Sequence, residues 1–210
     1  MLSRSLSLCR AITSRRVSRF SGAQQQALVW IDCEMTGLDA NKHAILEAAC
    51  VVTDSELNAV AQCAHVIAQP ASALALMDDW CRTTHTASGL LADVQTCGVP
   101  LEQAESAILE LLMRHTPRKQ CALAGSSVHV DRTFLDRHMP RVTAHLHYRN
   151  VDVSTISELC ARWLPSVEAD RPASNATRHR AMADIHSSIA LLRFYRDNAF
   201  LSMSNNRYWR

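Results

Sequence analysis

Apolar and polar residues alternate along the chain with two periodicities, one typical of strands and one typical of helices. Five short runs that are continuously apolar or alternate with polar residues predict β-strands. A polar turn at 54–58 joins the second of these strands to the third. The predicted strands are 27–34, 44–52, 59–69, 120–125 and 148–152.

Helical patterns lie between and after these strands. The stretch 71–94 is irregular and partly helical, and a helix begins near Pro100, because proline suits a first helical turn. The next helix ends at Pro140, and another begins at the capping pattern Thr155-x-x-Glu158. The two longest helices have apolar faces, formed by Leu101, Ala104, Ile108 and Leu111 and by Met182, Ile185, Ile189 and Leu192. Three meandering strands followed by alternating helices and strands indicate an α/β fold, a mixed sheet flanked by helices in one domain.

Two carboxylates stand at the end of the first predicted strand. Asp32 and Glu34 lie two residues apart, and strand side chains at that spacing project to the same side. Two like charges in one place repel each other unless a cation joins them. Mg²⁺ prefers oxygen ligands of this kind, so the pair indicates a divalent-metal site. Taken alone, the pattern also fits a solvated strand face.

Three further residues extend this constellation. Asp131 lies where a helix begins, and the helix dipole favours an acid there even in a purely structural role. His179 and Asp184 flank the start of the terminal helix. Residues five apart differ by about 140° around a helix, so these two converge only if His179 lies on the preceding loop. The segment 174–177 is rich in loop and cap formers and permits this arrangement.

The order of these residues resembles that of 3′→5′ exonucleases with four acidic ligands and a histidine. Five co-linear motifs between Leu28 and Tyr195 resemble the oligoribonucleases more narrowly. They are WIDCEMTGLD at 30–39, LMDDW at 76–80, THTASGL at 84–90, HYR at 147–149 and DVST at 152–155. Ser126, Ala183 and the segment 174–178 depart from the usual pattern. The resemblance implies an RNase H-like fold.

The resemblance also implies a mechanism. Asp32, Glu34, Asp131 and Asp184 would hold two Mg²⁺ or Mn²⁺ ions about 4 Å apart, which would clamp the attacking and leaving oxygens of an in-line displacement. His179 would act as the general base, since neutral imidazole accepts a proton near neutral pH.

Substrate contacts are implied by the same resemblance. Leu38 would wedge beside the bases and Trp80 would form a stacking platform, which tolerates any base, although ordinary packing is the alternative for both. His85 and the backbone of Met35 and Thr36 would line the same pocket. A cap for the 5′ phosphate is implied for Ser127, Arg149, Ser154 and Thr155. His147, Tyr148 and Arg149 would come from the partner subunit of a homodimer.

The first 22 residues have a composition of their own. Five arginines lie among many serines, at Arg4, Arg10, Arg15, Arg16 and Arg19, and no acidic residue precedes Asp32. This is typical of a mitochondrial presequence, and a basic tail that touches nucleic acid is the alternative. We therefore expect a presequence-like extension at 1–22, an exonuclease domain at 27–198 and a C-terminal tail at 199–210, in a matrix protein. A cytosolic pool would need unimported precursor or another transcript.

Charge limits the substrate. Without the five N-terminal arginines, 17 basic residues face 20 acidic ones, a net charge of about −3. A protein that holds long nucleic acid needs a broad basic surface, because phosphate neutralisation dominates its affinity.

The eight cysteines are widely spread, which favours free thiols over disulfides. No apolar run approaches the ~20 residues of a membrane span, so we expect no membrane partner.

Together these observations predict a 3′→5′ exoribonuclease that degrades short RNA, dinucleotides above all, to nucleoside 5′-monophosphates. One alternative is a related exonuclease that acts on longer RNA or DNA, against which the charge balance and the pair Leu38 and Trp80 argue. The other is a non-catalytic RNA-binding protein. The presence of all four acids and the histidine argues against that alternative.

Overall fold

The computed structural model of the protein describes Gly22 and residues 26–173 and 179–201. A five-stranded sheet lies at its centre, with the strand order β3-β2-β1-β4-β5. The strands are β1 (Leu28–Met35), β2 (Ile45–Thr53), β3 (Ala59–Val66), β4 (Leu123–Gly125) and β5 (Asn150–Asp152). Neighbours among β1, β2 and β3 are antiparallel, whereas β4 is parallel to both β1 and β5. The predicted mixed sheet is confirmed.

Helices cover both faces of this sheet. Between β3 and β4 lie α1 (Ala71–Leu74), α2 (Asp79–Ala87), α3 (Leu90–Thr96) and α4 (Leu101–His115). After β4 come α5 (His129–His138) and α6 (Pro140–Thr143). After β5 come α7 (Val153–Trp163), α8 (Pro165–Ala169) and α9 (Ala181–Tyr195), which a π-helical turn (Arg196–Phe200) extends. Across the described residues, every helix is too short or too polar to cross a lipid bilayer.

Strand β1 separates two apolar cores, because its side chains alternate between the faces of the sheet. Val29 and Ile31 are buried in the core that α4 and α5 cover. Trp30 is buried in the opposite core, which α7 and α9 cover. Asp32 and Glu34 continue the face of Trp30, so the alternation of β1 directs both carboxylates towards α9.

The predicted capping pattern at Thr155 is wrong. Helix α7 begins at Val153, and its N-cap is Asp152, whose Oδ1 accepts the N–H of Ser154 at 2.9 Å. Asp152 has an extended backbone, which lets its carboxylate reach the first turn, whereas Thr155 already lies inside the helix. The same Oδ1 accepts the N–H of Ser127 at 2.9 Å, which ties the loop after β4 to α7.

The helix boundaries at the two prolines are confirmed. Pro100 precedes α4, and α5 ends two residues before Pro140, which itself begins α6. The buried face of α4 includes Ile108 and Leu112 rather than Leu111, since Leu112 lies one full turn beyond Ile108.

Strands β3, β4 and β5 are shorter than predicted. The chain leaves β3 after Val66, where Ile67 forms an isolated parallel bridge with Val99. Cys33, Cys50, Cys81 and Cys160 are buried thiols without a disulfide, as predicted. The presequence-like segment 1–22, apart from Gly22, and most of the tail 199–210 lie outside the described residues.

Candidate active site

Three carboxylates converge where β1 ends and α9 begins. One ligand oxygen each from Asp32, Glu34 and Asp184 lies within 4.8 Å of the other two. β1 supplies the first two through its alternation, and the first turn of α9 supplies the third. This spacing allows a single cation to contact all three side chains.

Asp131 approaches this group from a third element, helix α5. It lies in the first turn of α5, as predicted, and is buried. Its Oδ1 accepts the N–H of Cys33, the residue between the two β1 acids, at 2.9 Å. Asp131 lies outside the 4.8 Å group of three, although its charge is the largest electrostatic influence on Asp32.

Burial and mutual repulsion make these acids hard to ionise. The pKa of Asp32 lies well above its usual range, first because the group is desolvated and then because Asp131 is close. Burial, followed by the charge of Asp184, raises the pKa of Glu34 to about 7. Burial also raises the pKa of Asp131 to about 7. The pKa of Asp184 is raised by burial as well, and nearby His179 opposes that rise. Such a cluster favours a bound cation, which stabilises the ionised forms.

His179 lies on the loop that leads into α9, as the sequence predicts. Its φ of 35° is in the left-handed region, which a non-glycine residue seldom adopts. The imidazole meets the ring of Trp80 edge-on, with the centroids 5.6 Å apart. Residues 174–178, where the sequence departs from the family pattern, lie outside the described residues.

A cleft of about 680 Å³ begins at these groups and runs between α7 and α9. Its walls include Asp32, Asp184 and His179 at one end. Ser154, Ser157 and Arg171 line it further along. The cleft therefore brings carboxylates, a base and hydroxyl or guanidinium donors to one connected space.

Two apolar residues near the acids are unusually exposed. Leu38, which follows β1, is 77% exposed, and Trp80, in the first turn of α2, is 63% exposed. Exposed apolar side chains beside a polar site are available to contact a ligand.

His85 and Thr36, by contrast, are buried and hold the end of β1 in place. His85 Nε2 lies 2.9 Å from the carbonyl oxygen of Met35, and Nδ1 lies 3.8 Å from Glu34 Oε2. Thr36 Oγ1 accepts the N–H of Ala44 at 3.0 Å. In this structure the two side chains support the site from beneath.

The residues implied as a phosphate cap fall into two groups. Ser127 has a left-handed φ of 53°, and its N–H also lies 3.0 Å from Ser154 Oγ. Thr155 is exposed in the first turn of α7. These three polar residues gather where β4 and β5 end.

The second group stands apart from the first. The rings of His147 and Tyr148 lie 4.4 Å apart, and the guanidinium of Arg149 lies 5.5 Å from the centroid of the Tyr148 ring. Tyr148 is 73% exposed. None of these three described residues lines the cleft of its own chain.

Sequence reasoning missed Glu47 and Arg180. Glu47 lies in β2, every residue of which is buried, and its side chain forms an ion pair with Arg180. An acid within an otherwise apolar strand was a visible signal that the residue needs a partner. Nothing in the sequence identified that partner, which lies 133 residues away.

Ser126 also has a structural partner that the sequence did not reveal. Its hydroxyl lies 2.8 Å from that of Ser188, so the end of β4 is tied to α9 at the position where the sequence departs from the family pattern.

The exonuclease family (RNase_T) matches residues 29–192. The chain is 47% identical over 183 residues to the mitochondrial oligoribonuclease of Mus musculus. The aligned region covers 87% of this chain and 77% of that relative. It is 50% identical over 177 residues to the oligoribonuclease of Vibrio cholerae, over 83% of this chain and 96% of that relative.

Solved structures show the same fold at low sequence identity. The zinc-bound complex of E. coli ExoI with single-stranded DNA superposes with a TM-score of 0.67 at 15% identity. The match covers 86% of this chain and 42% of that one. S. pombe Pop2p with bound Mg²⁺ and Mn²⁺ gives a TM-score of 0.65 at 13% identity, over 82% of this chain and 84% of that one. The family match and the relatives near 50% identity place the chain among the exonucleases, as a member of the oligoribonuclease family.

Proposed function

We propose that this 3′→5′ exoribonuclease hydrolyses very short oligoribonucleotides, preferably dinucleotides, to nucleoside 5′-monophosphates. One observation carries the proposal: carboxylates from β1 and α9 lie close together and share the end of a cleft with His179, and Asp131 of α5 is hydrogen-bonded to the backbone between the two β1 acids. The curated relatives near 50% identity are named oligoribonucleases, which supports RNA as the substrate.

Asp32, Glu34, Asp131 and Asp184 fit a site for two divalent ions, Mg²⁺ or Mn²⁺. Hard cations of this kind take carboxylate oxygens as ligands. The pKa values of Asp32 and Glu34, which are raised first by burial, support this proposal, because a nearby positive charge would stabilise the ionised forms. Bound ions supply Lewis acidity and an activated water, which carboxylates alone cannot provide.

His179 is the proposed general base. It lines the cleft together with Asp32 and Asp184, so a ring nitrogen can accept a proton from the attacking water. The edge contact with Trp80 limits the space into which the imidazole can rotate.

Leu38 and Trp80 are the proposed contacts to the bases at the 3′ end. Their exposure leaves both side chains free to stack or wedge against a base. Stacking on an aromatic ring is available to all four bases, as a non-selective scavenging enzyme requires. Met35, Thr36 and His85 would shape the floor beneath them, since His85 and Thr36 brace the end of β1.

Ser127, Ser154 and Thr155 are the proposed cap for the 5′ phosphate. Hydroxyls and N–H groups at the start of a helix bind phosphate well. His147, Tyr148 and Arg149 would complete the cap from the second subunit of a homodimer. The high exposure of Tyr148 and the absence of all three from the cleft of their own chain support this assignment for the described residues.

A graded-length assay tests the proposed substrate. Purified protein with Mg²⁺ is incubated with 5′-labelled RNAs of two to seven nucleotides, and the products are resolved on a gel. We expect mononucleotide products and the highest kcat/KM for the dinucleotide. Equal efficiency on two and seven nucleotides would favour the general exonuclease, and binding without cleavage would favour the RNA-binding protein.

We also propose that the segment 1–22 directs import into mitochondria, in line with the relative from Mus musculus that is named mitochondrial. The test fuses residues 1–26 to a fluorescent reporter. The matched control replaces the five arginines by glutamine. Mitochondrial signal is expected from the first fusion and diffuse signal from the control. Diffuse signal from both fusions would contradict the proposal.

A further inference from the structure

A fifth buried carboxylate lies next to the acid cluster and takes no part in it. Glu47 stands directly opposite Glu34 in the register of β1 and β2. Its side chain is 5% exposed, and its oxygens lie 3.0–3.3 Å from the Nε and Nη2 of Arg180. Glu47 Oε2 also accepts the N–H of Ala181 at 3.1 Å. The first residue of α9 and the residue before it are therefore both fixed to strand β2.

The same guanidinium holds a second element. Arg180 Nη1 donates to Asp93 Oδ2 at 2.9 Å, and Asp93 belongs to α3. Helices α2 and α3 share one apolar core with β2, to which they contribute Cys81, Leu90 and Leu46 respectively. Helix α2 also carries Trp80, which touches His179. We call Arg180 with Glu47 and Asp93 the Arg180 clamp.

Arg180 lies in the backbone between two groups of the active site. His179 precedes it directly with a strained left-handed φ. The carbonyl oxygen of Arg180 accepts the N–H groups of Ala183 and Asp184 at 2.9 and 3.1 Å, which starts α9. Any displacement of Arg180 therefore moves His179 and Asp184 together.

We propose that Arg180 is a positioning residue for this reaction: through Glu47 and Asp93 it fixes the proposed base His179 and the carboxylate Asp184 relative to β1 and to Trp80. Arg180 lies beside the reacting groups without being one of them. It also neutralises Glu47, so a fifth negative charge does not face the cluster uncompensated. The inference rests on the proposed function.

The chain offers a matched control far from the cleft. Glu105 is also a buried glutamate that binds an arginine at the start of a helix. Its Oε1 accepts the N–H of Arg141 at 2.7 Å, and its Oε2 lies 3.6 Å from Arg141 Nη1. Arg141→Gln removes an ion pair between a buried glutamate and an exposed arginine at a helix start, without touching the proposed active site.

The test compares Arg180→Gln, Arg180→Lys, Asp93→Asn and Arg141→Gln. Thermal unfolding, kcat and KM for a dinucleotide at saturating Mg²⁺ are measured for each. We expect Arg180→Gln to lower kcat about 10- to 100-fold with KM within about threefold, because small misplacements of reacting groups have effects of that size. Arg180→Lys, which can satisfy one carboxylate at a time, should recover part of the rate. Arg141→Gln should lower thermal stability and leave kcat unchanged.

Hydrogen exchange of the amides at 181–184 gives a readout that does not depend on activity. Faster exchange in Arg180→Gln but not in Arg141→Gln supports the clamp, even if the wild-type protein cleaves no RNA and the proposed function fails. Unchanged exchange, a loss of kcat equal to that of Arg141→Gln, or an effect on KM alone would overturn it. If Arg180→Gln does not fold, Arg180→Lys and Asp93→Asn decide by the same criteria.

Discussion

Glu34 and Asp131 each have a pKa of about 7, chiefly because both carboxyl groups are buried. A carboxyl group with a raised pKa binds its proton more tightly in the folded state than in the unfolded one. Its contribution to stability is therefore greatest at low pH and falls as pH rises. For Glu34 the fall runs from pH 4.5 to about 7, which corresponds to about 3 kcal/mol.

Replacing Glu34 by Gln should therefore stabilise the metal-free protein at neutral pH. The gain over wild type should be small at pH 4.5 and grow to about 3 kcal/mol near pH 7.5. Urea unfolding with a chelator at several pH values measures it. Buried His145, whose pKa is lowered by burial, gives the opposite slope, but it lies away from Glu34, is present in both proteins and cancels in the difference. A gain that did not change with pH would contradict the assignment.

Substitution of the active-site acids and of His179 should lower the rate of hydrolysis. Asp131→Ala should abolish hydrolysis while the protein stays folded, because the proposed two-ion site would lose a ligand. His179→Ala should lower kcat by at least about 10²-fold, the usual effect of losing a general base. A gel assay with Mg²⁺ measures both, with His138→Ala as a control histidine on the far end of α5. Near-full activity of Asp131→Ala would refute the two-ion assignment.

At this scale the sequence predicted residues whose chemistry is local. Asp32 and Glu34 were predictable because strand alternation alone puts them on one side. The pairing of Glu47 with Arg180 was not predictable, because an ion pair between distant residues has no periodicity to reveal it. His85 was expected to line the pocket, but whether a ring lies beside a cleft or beneath it depends on packing.

Among the elements, the carboxylate of Asp152 joins the loop after β4 to the first turn of α7. Its Oδ1 accepts N–H groups from Ser127 and Ser154, each at 2.9 Å. Asp152→Ala should lower the free energy of unfolding by about 1–2 kcal/mol, the usual effect of removing an N-cap. Thr155→Ala, at the position where the cap was wrongly predicted, should leave stability nearly unchanged. Urea unfolding measures both variants. An equal loss of unfolding free energy in the two would contradict Asp152 as the N-cap.

The elements themselves follow from the sequence to a large extent. β1, β2, α4 and α9 have the clearest periodicity and were predicted within a few residues. β4 and β5 are only three residues long, and the residues predicted to begin them lie before the paired strands. The cap of α7 was misplaced because Asp and Thr are both good N-caps, and only the backbone angles of Asp152 distinguish them.

For the whole molecule, the proposed phosphate cap makes the preference for short substrates depend on the formation of a homodimer. Arg149→Ala should lower kcat/KM for a dinucleotide more than for a seven-nucleotide RNA, because the longer substrate gains little from a terminal phosphate contact. Kinetics on both substrates measure the ratio, with exposed Arg162→Ala as a control. Equal losses on the two lengths would contradict a capped site. Sedimentation of the wild-type protein tests the homodimer.

The overall fold was predictable because one domain follows from the order of its elements, and the resemblance then specified the RNase H-like arrangement. Assembly was not predictable from composition or periodicity. An exposed tyrosine such as Tyr148 can face solvent or contact a second subunit, and neither composition nor periodicity distinguishes the two cases.

The position of the two acids on β1 determines how the enzyme responds when its ions are withdrawn. β1 is paired with β2 along its length, with a register shift between Glu34 and Met35, and with β4 at Val29 and Trp30, so this backbone pairing holds Asp32 and Glu34. The backbone N–H of Cys33 holds Asp131 in the same way. The backbone that positions these acids should therefore keep its structure when no divalent ion is bound. We expect the loss of activity on chelation to be fully reversible. Stopped-flow addition of Mg²⁺ to chelated protein should restore turnover without a lag, since no segment has to refold first.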